Sequence, residues 1–101
     1  MTRIERYVVQ YASRNTAPRI WFYDEDGQSI GQAVFVRHDS PLQPDHPRSL
    51  NYRHEDFANV LDVLRNESPV YYAFSGTNSE NAIRSAKEMV GEGELVGERD
   101  G

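Results

Sequence analysis

The sequence predicts an α+β fold: an antiparallel meander sheet of four to five strands with one main helix (54–66) packed on one face. The expected order is βββ(β)αβ, then a C-terminal helix or return strand. Three observations carry this. Nine of the eleven aromatic residues fall in four short runs that read as strands: Tyr7 and Tyr11; Trp21, Phe22 and Tyr23; Phe35; and Tyr71, Tyr72 and Phe74. Between these runs stand Gly, Pro, Asn and Asp, each suited to a turn for its own backbone reason. A single stretch, 54–66, spaces its apolar residues at helical rather than strand period.

Taken in order, residues 3–12 read as a first strand. Tyr7, Val9 and Tyr11 alternate on one face, with Ile4 and Val8 on the other. Residues 13–18 are a loop ending in Pro18. Residues 19–25 form a second strand, with Ile20 and Phe22 on one side and Trp21 and Tyr23 on the other. Asp26-Gly27 then signals a hairpin, because glycine supplies the positive φ that a tight turn needs. The third strand runs from about Ser29 to Arg37, with Ile30, Val34 and Val36 on one face and Ala33 and Phe35 on the other. Gly31 marks a bulge or a close backbone approach.

Residues 38–49 form a loop carrying Pro41, Pro44 and Pro47, which favour extended backbone. Leu50 to Arg53 is a short fourth strand. In the helix, Phe57, Val60, Leu61 and Leu64 make one apolar stripe. Glu55 and Asp56 in its first turn and Arg65 in its last suit the helix dipole. Asn66 and Pro69 stop it. Val70–Phe74 is the next strand. In 79–90 the local period favours a helix capped at Ser79, and a return strand is the alternative. The domain is expected to span 1–90, with 91–101 a flexible, acidic, Gly-rich tail.

A chain of 101 residues makes one domain. Its net charge is -5, and Lys87 is the one lysine among eleven basic residues. An acidic balance argues against a surface built simply to neutralise phosphates. The arginines leave local patches open, since guanidinium makes bidentate contacts better than an ammonium does. Without cysteine there is no disulfide, thiolate zinc site or thiol nucleophile. No apolar run approaches the ~20 residues of a membrane span. No leader-like segment precedes the first strand. A cytoplasmic, bacterial chain is the expectation.

The candidate surface is aromatic. If the strands pair in simple register, Tyr7, Tyr11, Trp21, Tyr23, Phe35 and Tyr71 all project opposite the better aliphatic set. Half-polar rings of this kind suit either a protein interface or a stacking platform for bases, sugars or an extended peptide. His38, His46 and His54 each have an acid nearby, but none of their spacings is a zinc motif. Ser75-Gly76-Thr77-Asn78-Ser79 follows a strand and has the small polar character of an anion-binding turn, without the glycine pattern or lysine of a phosphate loop. Asp24-Glu25-Asp26 reads as a solvated hairpin tip. No serine sits in a nucleophile elbow.

The order strand, strand, strand, strand, helix over residues 3–66 resembles, in topology, the ββββα unit of the Whirly and PUR-alpha group of single-strand nucleic-acid binders. That resemblance implies single-stranded nucleic acid, or a small ligand, on the aromatic face. The first expectation is different. It is a non-enzymatic domain with no cofactor, no metal site and no membrane contact, self-associating as a homodimer through the aromatic sheet face or a sheet edge. The acidic net charge places a second copy of the chain ahead of nucleic acid as partner.

Overall fold

A computed structural model describes residues 1–11, 17–76 and 81–86. The acidic tail expected over 91–101 lies outside them. The described strands are β1 (Thr2–Ile4), β2 (Arg6–Gln10), β3 (Arg19–Tyr23), β4 (Ser29–Val36), β5 (Ser49–Arg53), β6 (Val70–Ala73) and β7 (Ala82–Ser85). One turn of 3-10 helix, His54–Asp56, runs into α1 (Phe57–Asn66), so the helix lies where its apolar stripe placed it. The α+β class stands, but the strands form two sheets. One has four strands, in the order β2-β3-β4-β5, and the other three, in the order β1-β6-β7.

The expected first strand divides at Glu5. Ile4 pairs with Val70 in one sheet, and Arg6 pairs with Tyr23 in the other. The Glu5 backbone N–H donates to the Tyr23 carbonyl at 2.9 Å, fixing the corner. The corner also changes the phase of the side chains. Ile4 is buried, and three residues later Tyr7 packs against the same core. Strict alternation would have put them on opposite faces.

The meander holds through β2, β3 and β4, which pair antiparallel. It then fails, because β5 runs parallel to β4, with Gln32 opposite Ser49 and Val36 opposite Arg53. A hairpin needs only a few residues, whereas a parallel return needs a crossover of about a dozen. The proline loop supplies that length in extended form, without a helix. Between β3 and β4, Asp24 Oδ1 accepts from the N–H groups of Asp26 and Gln28, each at 2.9 Å, and Gly27 takes a φ of 80°. The register shifts at Phe22/Tyr23, opposite Ser29–Gly31.

Both expectations for Gly31 are met. Besides the neighbouring bulge, a Cβ there would lie 2.7 Å from the Tyr72 hydroxyl. Here the two sheets meet, Gly31 of the larger against Tyr72 of the smaller. Between them, Ile20, Phe22, Ala33, Phe35 and Leu50 of the larger sheet meet Ile4, Val70 and Tyr72 of the smaller one, with Val60 from the helix. Phe22, Phe35, Ile20 and Leu50 are fully buried. Each contributes roughly 1.5–3 kcal/mol through loss of apolar surface from water. Val60, rather than Leu61, is the buried residue of the helix, and Leu61 packs at the margin of the core.

The helix favoured by the local period of 79–90 is not what Ala82–Ser85 forms. These residues pair antiparallel with β6, Tyr71 opposite Arg84 and Tyr72 opposite Ile83. Two of the five apolar residues in that stretch, Ala82 and Ala86, are alanines, which bury little. Pairing with the second edge of β6 outweighs the helical spacing. Residues 79–80 and 87–90 lie outside the described residues.

Candidate functional site

The six aromatic residues expected on one face are distributed over three environments. Phe35 is fully buried. It stacks on Tyr52 with centroids 5.4 Å apart and meets Phe57 edge-on at 5.1 Å. Ile30, Val34 and Val36 had suggested that their side of β4 is the inner one. Pairing of Ala33 with Ile20, and of Gly31 with Phe22, turns the other side inward. Tyr7 pairs with Phe22 and is inward too. Tyr11 is 62% exposed, yet its ring meets Phe57 edge-on at 5.4 Å, on the helix side. Tyr71 is outward, but on the three-stranded sheet, between Arg3 and Arg84.

Trp21 and Tyr23 therefore remain on the outer face of the four-stranded sheet. Register places Val8, Trp21, Gln32 and Ser49 in one row across the strands. Gln10, Arg19, Val34 and Asn51 form the next. Arg6 lies beside Tyr23. The strands put no aspartate or glutamate on this face. Arg6 and Arg19 have no ion pair or hydrogen bond among the described residues. Gln32 donates through Nε2 to Ser49 Oγ at 3.5 Å, and its Oε1, shielded from solvent, takes no hydrogen bond. The one described helix packs on the opposite, inner side.

The two edges of this sheet are built differently. Along β5, Asp45 Oδ1 accepts the Asn51 backbone N–H at 2.7 Å, and Asn51 Nδ2 donates to the Pro44 carbonyl at 3.1 Å. Asp45 Oδ2 also accepts from Asn81 Nδ2 at 3.0 Å, tying the loop to the start of β7. Arg53 donates to the carbonyls of Arg37 and Ser40. The proline loop thus lies along the β5 edge and satisfies it. At the other end, β2 has β3 as its one partner in the sheet. Three of the five large apolar side chains that are exposed, Val8, Val9 and Tyr11, lie on or next to it.

The histidines do not converge. His38 is in a turn, His54 opens the 3-10 turn, and His46 Nδ1 accepts the Arg48 backbone N–H at 3.2 Å. Among the described residues no group of three or more His, Cys, Asp or Glu is arranged to hold a metal ion. The Ser75–Ser79 turn leads to a strand instead of a helix, and the N–H groups of Ser75 and Gly76 donate to Asn81 Oδ1. Thr77, Asn78 and Ser79 lie outside the described residues. No helix among the described residues is long and apolar enough to cross a membrane.

Two buried phenols have shifted acidities. Burial pushes Tyr52 up, helped by Asp45 and Asp56 and opposed by the hydrogen bond its oxygen accepts from the Ile83 N–H at 3.3 Å. Tyr72 is pushed up to about 12, again chiefly by burial and against the positive charge of Arg48. Its hydroxyl takes no hydrogen bond. An open cavity of about 170 Å³ lies between the Arg3–Glu5 corner and the end of the helix. Arg3 and Glu5 pair with each other there at 2.9 Å. No protein-family model, curated protein or solved structure matches this chain.

Proposed function

We propose that this chain is a non-enzymatic domain that self-associates as a homodimer, two copies pairing antiparallel along β2. One observation carries the reading: the β2 edge, which no described strand covers and along which Val8 and Val9, on opposite faces, are 48% and 39% accessible. An unguarded strand offers unpaired N–H and C=O groups to another strand. Lysine and proline, the usual guards, are absent from Arg6–Gln10.

Antiparallel pairing centred on Val8 sets Arg6 opposite Gln10 of the second copy and Tyr7 opposite its Val9. No like charges meet, Val8 meets its own copy, and Val9 meets the ring of Tyr7. A five-residue edge buries less than a standard interface, so affinity in the micromolar range is expected, about -8 kcal/mol. Light scattering across a dilution series tests the reading. The weight-average mass should rise toward twice that of the chain, and Val8→Lys should return it to that of one chain. A mass that stays at one chain up to ~100-fold above micromolar concentration would overturn it.

A further inference from the structure

We infer that the outer face of β2, β3 and β4 binds single-stranded nucleic acid, with Trp21 and Tyr23 stacking on bases and Arg6 and Arg19 holding phosphates. This goes beyond self-association and does not depend on it, because the four residues all lie on one copy.

Charge is the first argument. The whole chain carries -5, yet this face has arginines and no acids. The Arg6 and Arg19 guanidiniums are not engaged by carboxylates of the described residues. Most acids sit elsewhere, for example Asp24 to Asp26 at the hairpin tip and Asp56 and Asp62 at the helix. A polyanion therefore meets complementary charge on this face and repulsion around it.

Geometry is the second. Trp21 and Tyr23 are alternate residues of one strand, so their Cα atoms are about 6.5–7 Å apart. That spacing leaves room for one base on each ring. Arg19 continues the line beyond Trp21, and Arg6 lies beside Tyr23, so cations flank the rings. Gln10 brings an amide alongside Arg19 at the end of the line. Bases inside a duplex do not offer their faces to such a surface, which favours a single strand. An acidic peptide would meet the arginines but leave the indole without a flat partner.

Trp21 is the one tryptophan of the chain and reports directly on the face. A titration with oligothymidylate at low salt, at protein concentrations below the self-association range, should quench its fluorescence. Duplex of the same length should compete poorly. Log affinity should fall with log salt, with a slope of roughly -0.7 per phosphate held, and Arg6→Gln with Arg19→Gln should flatten it by roughly 1.4. Tyr23→Ala should weaken binding about tenfold, and so should Trp21→Ala by anisotropy of a labelled oligonucleotide. Trp21→Phe, which keeps a flat ring, should restore most of it.

Absence of quenching at low salt would overturn the inference. Equal affinity for duplex would do the same. So would binding of heparin as tight as oligothymidylate and unchanged in Tyr23→Ala, since that marks a surface for any polyanion. Circular dichroism on each variant separates lost binding from lost folding. Should Trp21→Ala unfold, Tyr23→Ala and the arginine pair still decide.

Discussion

The two edges of the four-stranded sheet are the most instructive contrast in the molecule. Both end the same sheet and both are five residues long. Along β5, Asp45 caps the Asn51 backbone N–H, and the Asn51 side chain holds the Pro44 carbonyl, so the loop lies against this edge. Along β2 no comparable contact exists among the described residues, and two valines stand exposed instead. A sheet of this size does not leave both ends open by default. It spends a long loop on closing one of them, and the difference makes the open edge informative.

The largest test of the closed side is Phe35→Ala. Its ring supports Tyr52 of β5 from inside and the helix beyond, so denaturant unfolding should show a loss of about 3–5 kcal/mol. A loss under ~1 kcal/mol would mean that the ring cluster does not hold the β5 side. Asp45→Ala comes next. It removes acceptors from a partly buried N–H and from Asn81, at a cost of about 1–3 kcal/mol. It also bares the second edge, so light scattering should show larger and less uniform assemblies than the unsubstituted chain forms. Unchanged assembly would mean the loop does not act as a guard.

Tyr72→Phe is a smaller effect with a distinct signature. The buried hydroxyl has no partner, so its removal should leave stability unchanged or raise it by ~1 kcal/mol near neutral pH. The phenol is raised from 10.0 to about 12, so its contribution is fully present below pH 10. It is lost as pH rises through 10 toward 12, because the unfolded chain gives up its proton first. The expected alkaline loss is about 2 kcal/mol. Urea melts at neutral and alkaline pH should show that limb flattened in Tyr72→Phe, and an unchanged limb would place the titration elsewhere. Smallest of all is the stability effect of Val8→Lys, within about 0.5 kcal/mol for a half-exposed strand residue. The same substitution should abolish pairing, so a change in mass with no change in melting is what sets the open edge apart from the closed one.

The sequence was most legible where a signal is local. The helix stripe of Phe57, Val60, Leu61 and Leu64 and the Asp-Gly turn are properties of neighbouring residues. What it hid depends on residues far apart. The phase change at Glu5 arises because Ile4 and Arg6 answer to partners in different sheets. The inward side of β4 is chosen by the bulk of Phe35 among Tyr52 and Phe57, while a count of aliphatics points the other way. The parallel sense of β5 and the strand at Ala82–Ser85 are set by what they pair with. Hence the aromatic face survived only in part, with Trp21 and Tyr23 correctly placed outward. A sheet edge was one of the two expected places for self-association, and which edge lies open among the described residues needed the strand order.

The pairing of β1 with β6 has a consequence for how the chain is made. Thr2 meets Tyr72 and Ile4 meets Val70, so β1 waits during synthesis for a partner far along the chain. Neighbouring strands β2, β3 and β4 need only short loops and can pair long before that. If copies pair along β2 as proposed, that pairing would compete in time with completion of the fold.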